Sequence, residues 1–447
     1  MEIQLPANAK LIIEKLRQSG YSCYAVGGCV RDSLRGITPH DWDFTTSAKP
    51  DEIEQVFSEY QTIAVGKKYG TVAVLIGGEI FEITTYRVDG AYSDARHPDE
   101  VRFSDRIQDD LARRDFTVNA MAYNDEHGLI DLYGGRQDLS FGVIRCVGDP
   151  QERFSEDALR IMRALRFASV LGFTIEPHTS DAILKQRKLL GGIASERIRE
   201  ELLKLLCGDR ADFILRRYRS VIAVVIPELK GTFDFEQHSK HHNRDVYRHI
   251  VAAVHNVEPE PLLRVTMLFH DIGKPLSQTI DKHGVCHYKG HQKIGAAMTR
   301  EILRRLCMPS VFIDEVCDLI RWHDERFKPD PVMLKQYLKL LGADAMQKLM
   351  LVQRADILAQ SAYLREEKLS NLMAVSEELN RIISAGECYS LRQLSVSGAD
   401  LLHSGFCTGV RIGQILDALL DKVIEGELPN EKDALLDYAK KTFDKDA

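Results

Sequence analysis

Two aspartates two residues apart, in Asp41-Trp42-Asp43-Phe44-Thr45-Thr46, follow closely on the segment Gly27-Gly28-Cys29-Val30-Arg31-Asp32. In a strand, residues i and i+2 point to the same face, so Asp41 and Asp43 are expected to aim at one spot. Two carboxylates so placed repel each other unless a cation lies between them. Oxygen ligands of this kind suit Mg²⁺ shared with phosphate oxygens. The glycine pair supplies the second half of such chemistry. Residues 22–26 read as a strand, and Gly27-Gly28 lets the backbone after it turn tightly enough for N–H groups to approach a triphosphate. Gly28 and Arg31 are the candidate nucleotide ligands there, Arg31 adding fixed positive charge. The combination is the core of a nucleotidyl-transfer site.

These segments, with Arg113-Arg114-Asp115-Phe116-Thr117-Val118-Asn119-Ala120-Met121 further on, resemble in order and spacing the head-domain motifs of class II tRNA nucleotidyltransferases. That family comprises CCA-adding enzymes and bacterial poly(A) polymerases within the polymerase-beta-like superfamily. The resemblance runs from about residue 24 to 166 and continues more loosely to the end of the chain. It implies an α+β fold, with a polymerase-beta-like nucleotidyltransferase head of mixed sheet and helices followed by all-helical neck, HD and tail domains. It also makes Arg114 a further triphosphate ligand. The polar segment 89–110 corresponds to the family's flexible loop, needed to progress from C to A addition. The family commonly has an acidic residue followed three positions later by a basic one in this loop; here Asp94 is followed by Arg96 and then His97.

Several elements must position these groups. Residues 71–75 and 80–88 alternate around Gly77-Gly78 and predict a hairpin. Glu82, Thr84 and Tyr86 share a face of its second strand. Glu82 is a third catalytic carboxylate if that face is the one carrying the aspartates, and a surface glutamate otherwise. The run Glu156-Asp157-Ala158-Leu159-Arg160-Ile161-Met162-Arg163-Ala164-Leu165-Arg166-Phe167 predicts one continuous helix. Asp157, Arg160, Arg163 and Arg166 would form a slanted stripe on it.

An aspartate and an arginine one turn apart can read a base edge. Cytosine and adenine each place an exocyclic amine beside an unprotonated ring nitrogen, so a carboxylate accepting and a guanidinium donating suit both. Uracil and guanine present a carbonyl and an N–H instead, leaving protein groups unpaired at about 1–3 kcal/mol each. The resemblance implies this role for Asp157 and Arg160, with Arg163 and Arg166 contacting nucleotide or phosphates. Two-metal chemistry then needs Asp41 and Asp43 to bridge the ions, and the RNA 3′-hydroxyl supplies the nucleophile.

Nine of the 15 histidines fall between His238 and His291. The pattern His249, His270-Asp271, His291, His323, Asp356 resembles an HD phosphohydrolase domain. Imidazoles and carboxylates on facing helices suit Mn²⁺, Ni²⁺, Mg²⁺ or Fe. The resemblance implies that His249, His270, Asp271 and Asp356 supply one ion, with His291 and His323 available for a second. The alternative is a relic fold that packs helices and positions RNA.

The net charge of -7 over 447 residues argues against nucleic-acid binding by bulk electrostatics. A local surface remains, since residues 152–220 carry 14 Lys and Arg against 10 Asp and Glu. The nine cysteines form no CxxC pair, so reduced thiols are expected. No apolar run approaches the roughly 20 residues that span a bilayer, so the expectation is a cytoplasmic protein without membrane contact.

The expected domains are a head over residues 1–141, a nucleotide-selecting neck over 142–233, an HD domain over 234–365 and a tRNA-binding tail over 366–447. The expected function is addition or repair of the tRNA 3′ CCA end from CTP and ATP with Mg²⁺. An A-adding or CC-adding specialist and a poly(A) polymerase are the alternatives within the class. An HD phosphohydrolase that uses its head to grip RNA is the alternative from another class.

Overall fold

The computed structural model describes residues 3–63, 66–90, 101–238, 241–283, 285–406 and 409–443; Asp94, Arg96 and His97 lie outside them. The chain divides into two compact units, Met1–Pro227 and Glu228–Ala447.

The first unit opens with α1 (Ala7–Gln18), β1 (Cys23–Val26), α2 (Gly28–Leu34), β2 (Phe44–Thr46), α3 (Pro50–Val56) and β3 (Gln61–Ile63). The hairpin β4 (Thr71–Ile76) and β5 (Glu79–Thr85) follows, then β6 (Arg87–Asp89), β7 (Val101–Phe103), α4 (Ile107–Ala112), β8 (Met121–Asn124), β9 (Gly128–Asp131) and α5 (Gly135–Phe141). Seven strands form one sheet in the order β3-β4-β5-β2-β1-β8-β9. Among the described residues of this sheet, only β2 and β5 pair in parallel, Phe44 against Ile83. The apolar side of the sheet packs Phe44, Phe81, Ile83, Val72 and Val74 with Ile12 and Leu16 of α1 and Ile53 of α3. This is the burial that amphipathic strands and helices require.

Three expectations about the strands and the loop between residues 41 and 110 need correction. Asp41 and Asp43 precede β2 rather than lying within it, although extended alternation holds, Trp42 being buried between two exposed aspartates. The hairpin's second strand stops at Thr85, because the Tyr86 carbonyl accepts from the Ser104 N–H at 2.8 Å and residues 87–89 pair with β7 instead. The segment 89–110 is not loop throughout: its end lies in α4, where Asp110 is fully buried.

The rest of the unit is helical apart from the short strands β10 (Val143–Ile144) and β11 (Thr174–Ile175). The helices are α6 (Pro150–Glu156), α7 (Leu159–Leu171), α8 (Pro177–Gln186), α9 (Ser195–Leu206), α10 (Ala211–Arg217) and α11 (Arg219–Val225). The expected single helix through 156–167 is broken. Asp157 is extended, with φ -137° and ψ 101°, and a new helix starts at Leu159. The break is stabilised by the Asp157 carboxylate, whose Oδ1 accepts from the Leu159 N–H at 3.0 Å, a capping bond that supplies one orphan donor of α7.

The second unit packs α12 (Val246–Asn256), α13 (Pro261–Phe269), α14 (Lys274–Ser277), α15 (His291–Arg305), α16 (Ser310–Trp322), α17 (Pro331–Leu341), α18 (Ala343–Ala359) and α19 (Arg365–Ser384), with the small ribbon β12 (Thr279–Ile280) and β13 (Cys286–His287). Helices α12, α13, α16 and α18 contact one another around its centre. Toward the end, α20 (Gly398–His403), α21 (Val410–Ile424) and α22 (Lys432–Thr442) enclose a separate core of Leu401, Ile415, Leu419 and Leu435. Gly386 and Gly405, both at positive φ, follow the ends of α19 and α20. Among the described residues no helix is long and apolar enough to cross a membrane.

Candidate functional sites

The first site grows from β1, β2 and β5. The Val26 N–H donates to the Asp43 carbonyl at 2.9 Å, which extends the β1–β2 pairing up to the second aspartate. The parallel β2–β5 register, continued by one residue beyond Phe44 and Ile83, sets Asp43 beside Glu82. Asp43 is open to solvent on one side and crowded by protein on the others. That crowding, followed by the negative charges of Asp41 and Glu82, pushes its carboxyl up to about 6 against the pull of Arg114. Three carboxylates therefore share one local field, and a cation relieves their repulsion.

Gly27 turns the chain from β1 into α2 at φ 84°, a region a side chain rarely adopts. A Cβ on Gly27 would lie 3.3 Å from Arg114 Nη1, and one on Gly28 3.7 Å from Arg31 Nη2. Both guanidiniums thus lie against the glycine turn. Arg31 is oriented by a two-pronged bond to Asp32, Nε to Oδ1 at 2.9 Å and Nη2 to Oδ2 at 2.8 Å, and by Nη1 donating to Asn119 Oδ1 at 2.7 Å. Arg114 donates to Asp110 Oδ2 at 3.0 Å. The same oxygen accepts from Thr45 Oγ1 at 3.1 Å, and Arg113 bonds Asp110 Oδ1. Burial raises the Asp110 carboxyl, yet the two arginines hold it below the usual range. Asp110 therefore ties the strand that follows Asp43 to the arginine beside the turn.

The helical residues make a wall of paired charges. Asp157 Oδ2 accepts from Arg197 Nη2 at 3.0 Å rather than from Arg160. Arg160 Nη1 donates to Glu156 Oε2 at 2.6 Å and to the Arg153 carbonyl at 3.2 Å, while Nη2 donates to the Arg113 carbonyl at 3.0 Å. Arg163 donates twice to Asp115 Oδ2, at 2.8 and 2.7 Å, and Arg166 Nε lies 2.6 Å from Glu201 Oε2. Arg31, Arg163 and Arg166 surround the ring of Phe167, with guanidinium carbons 5.3, 5.4 and 3.9 Å from its centroid. Sequence reasoning missed the carboxylates Asp110, Asp115 and Glu201 and the partner Arg197; Asp115 alone had a signal, since it follows two arginines.

Asp115 gives a pH prediction. Burial raises its carboxyl, but Arg163 outweighs burial and brings it down to about 2 from 3.8. A depressed carboxyl contributes stability that is present above its unfolded value and lost as pH falls through the folded one. The shift corresponds to about 2 kcal/mol. Chemical denaturation between pH 4.5 and 2 should therefore show a loss of about this size that Asp115→Asn removes; parallel curves for both proteins would refute it.

The second site lies inside the other unit. His249 of α12, His270 at the end of α13, Asp271 after it, His291 at the start of α15, His323 at the end of α16 and Asp356 of α18 are all buried. His270, His291 and His323 turn Nδ1 to backbone carbonyls of Met267, Tyr288 and Ile320 at 2.8, 2.8 and 2.7 Å. An imidazole that donates from Nδ1 presents Nε2 as a lone pair, which is the tautomer a metal needs. Those Nε2 atoms converge. His249 Nε2 is 3.1 Å from His270 Nε2, 3.2 Å from Asp271 Oδ2 and 2.9 Å from Asp356 Oδ1. His291 Nε2 is 3.3 Å from both His323 Nε2 and Asp271 Oδ1. Asp271 thus turns one oxygen to each group.

Adjacent ligands on one ion with metal–nitrogen bonds of ~2.1 Å sit about 3 Å apart, so these separations fit cation ligation. Among the described residues, two groups have all ligand atoms within 4.8 Å of one another, His249-His270-Asp271 and Asp271-His291-His323. Charge agrees with the geometry. Burial alone would raise Asp271 and Asp356, yet Lys274 with His270 and His249 holds Asp271, and His249 with His270 holds Asp356, well below the usual range. The cluster therefore favours positive charge at its centre. Lys274 Nζ, 2.7 Å from Asp271 Oδ2, and His242, whose ring packs 4.8 Å from that of His249, belong to its surroundings. A Cβ on Gly273 would fall 2.3 Å from the His291 carbonyl oxygen, so glycine lets α15 carry His291 this close.

Comparison with known proteins places these sites in context. Residues 23–145 match the family described as Poly A polymerase head domain, and residues 291–439 that described as tRNA nucleotidyltransferase domain 2. The chain is 34% identical to the CCA-adding enzyme of Lactiplantibacillus plantarum over 448 aligned positions, covering 99% of this chain and 98% of that one. It is similar to the Bacillus stearothermophilus CCA-adding enzyme solved with CTP, at 29% identity and a TM-score of 0.72, with 98% of each chain covered. It shares the fold of the Thermotoga maritima enzyme complexed with tRNA at a TM-score of 0.59 and 21% identity, over 99% of this chain and 97% of that one.

Proposed function

Because the chain belongs to the class II CCA-adding enzymes of the poly(A) polymerase and tRNA nucleotidyltransferase family, we infer which of its residues complete the tRNA 3′ CCA end from CTP and ATP. The whole-length match to enzymes named for the full triplet sets aside the A-only, CC-only and poly(A) alternatives. The observation that carries the assignment is the convergence of Asp41, Asp43 and Glu82 beside a glycine turn backed by Arg31 and Arg114.

Asp41 and Asp43, with Glu82 alongside, are the proposed holders of Mg²⁺. Cations held there would lower the pKa of the RNA 3′-hydroxyl and neutralise the departing pyrophosphate. The chain's own groups do the rest. Gly28 and its neighbours leave room for the triphosphate to approach the backbone, and Arg31 and Arg114 meet its charge. Asp32, Asn119 and Asp110 fix the two guanidiniums, so little ordering cost is left for the moment of binding.

Asp157 and Arg160 are the proposed base readers. Asp157 Oδ1 accepts from the Leu159 N–H at 3.0 Å and from Arg197 Nη1 at 3.5 Å, whereas Oδ2 has one protein donor, Arg197 Nη2 at 3.0 Å, and a second lone pair to accept an exocyclic amine. Arg160 uses three of its five N–H groups on Glu156, Arg153 and Arg113, leaving donors for an unprotonated ring nitrogen. Arg163 and Arg166 are proposed to line the same nucleotide site. Asp157→Asn tests this reading. An amide can turn either its oxygen or its NH₂ to the base, so incorporation of UTP relative to CTP should rise ~10-fold or more while C and A addition persist. Unchanged selectivity would remove Asp157 from base reading.

In domain terms, the proposed head is residues 1–141, the neck 142–233, the HD domain 234–365 and the tail 366–447. The buried histidine–aspartate cluster favours a second reading alongside the first. The proposed occupants are Mn²⁺, Ni²⁺, Mg²⁺ or Fe, held by His249, His270, Asp271 and Asp356, and by Asp271, His291 and His323. Metals so held would activate water against phosphate esters, the chemistry of a metal-dependent phosphohydrolase. Release of phosphate from nucleotide esters by the metal-loaded protein, lost on chelation, is the expected result; a metal-loaded protein that releases none would leave the cluster a structural site.

A further inference from the structure

The cluster opens into two cavities, one of about 440 Å³ and one of about 430 Å³. Each lies within the size range of small-ligand pockets. They meet at a saddle: His323 and Asp356 of the cluster line both, and so do Asp324, Lys368, Arg326, His241 and Gln360. The first cavity continues over Phe327, Ile357 and Leu372, and the second over Tyr288 and Cys286. The first lobe therefore offers apolar surface, and the second offers the Tyr288 ring beside Asp271 and His291 of the cluster.

The saddle is built around Lys368. Its Nζ donates to Gln360 Oε1 at 2.6 Å and contacts His241 Nδ1 at 3.1 Å. An ammonium has three hydrogens, so one is left for the cleft. Gln360 Nε2 donates in turn to Asp356 Oδ2 at 2.8 Å, which connects Lys368 to the cluster through one side chain. Arg326 donates to Asp324 at 3.3 Å and its side chain is 69% exposed. Burial and then the charge of Arg326 lower the Lys368 ammonium, and burial, Lys368 and Arg326 lower His241. Lys368 and Arg326 both line the two cavities, with Asp324 and Asp356 beside them, so a phosphate at the saddle can accept from both cations.

We propose that this cleft binds a linear phosphodiester, its phosphate at the saddle against Lys368 and Arg326 and a nucleoside-sized group in each lobe. The proposal rests on the reading that the cluster holds metal, and it narrows the ligand. A phosphomonoester fills one lobe, whereas a diester has a group on each side of its phosphorus and fills both.

The test uses the full chain loaded with Mn²⁺, with metal content measured on every sample. A phosphorothioate-linked adenosine dinucleotide and AMP are each titrated calorimetrically into wild type, Lys368→Met and Arg326→Ala. The dinucleotide is expected to bind at least ~10-fold more tightly than AMP, and each substitution to weaken it ~10-fold or more. Equal affinity for both probes, or dinucleotide binding that survives both substitutions, would overturn the proposal. Absence of Mn²⁺ from wild type would instead refute the metal reading. In that case dinucleotide binding that still depends on Lys368 would sustain the cleft assignment, and its loss would end it.

Discussion

Asp43→Asn lowers nucleotide incorporation into tRNA by ~10³-fold or more, about 4 kcal/mol of lost transition-state stabilisation. The substitution keeps the size and the extended backbone of the residue, so the β2 register and the bond from Val26 to the residue-43 carbonyl stay. What it removes is the charge that would ligate a cation with Asp41 and Glu82. The same charge is costly in the metal-free protein, where crowding, Asp41 and Glu82 push the carboxyl up to about 6. Thermal unfolding without divalent ions should therefore show a Tm equal to or above that of wild type, alongside nearly abolished transfer. Retained transfer would remove Asp43 from the site, and a large fall in Tm would show that it acts through the fold.

Asp271→Asn separates the two sites. Asp271 is the residue that both ligand groups share, so metal content should fall at both. Its loss also takes the counter-charge from Lys274, 2.7 Å away and 5% exposed, leaving only the neutral acceptor Gln237 Oε1 at 2.9 Å. Breaking a buried pair in this way costs about 3–5 kcal/mol. The expected result is loss of bound metal and a lower unfolding midpoint for the second unit, while CCA addition at a temperature where the variant stays folded remains within about twofold of wild type. His323→Ala, which touches only the second ligand group, serves as the milder variant and should lower metal content without that stability cost. Undiminished metal in both variants would refute the ligand assignment.

Local spacing explains why much of the first site was legible. Gly27, Gly28, Asp41 and Asp43 carry constraints that act within a few residues: a turn only glycine makes easily, and two carboxylates two positions apart. Glu82 followed from alternation along β5, although which face met the aspartates depended on the β2–β5 register. The break at Asp157 was not legible, because residues 158–167 are good helix formers and nothing local opposes a continuous helix. The extended turn there accompanies a capping bond to Leu159 and an ion pair to Arg197 on another helix, and tertiary partners override propensity. Asp110 was hidden for a similar reason. Its neighbours in sequence are polar and read as loop, while its burial depends on Thr45, Arg113 and Arg114. In the second unit the ligand types were legible by composition, whereas the split of Asp271 between two groups needed the packing of α13, α15 and α16.

The most direct measurement incubates the purified protein and Asp43→Asn with tRNA transcripts lacking CCA, CA or A, with Mg²⁺ and each nucleotide singly and together, and sizes the products to one nucleotide. Growth of every transcript to CCA and no further, with UTP and GTP refused and no growth by the variant, is the predicted result. Growth by Asp43→Asn at the wild-type rate, or products that stop short of or run past the final A, would contradict the assignment of this site.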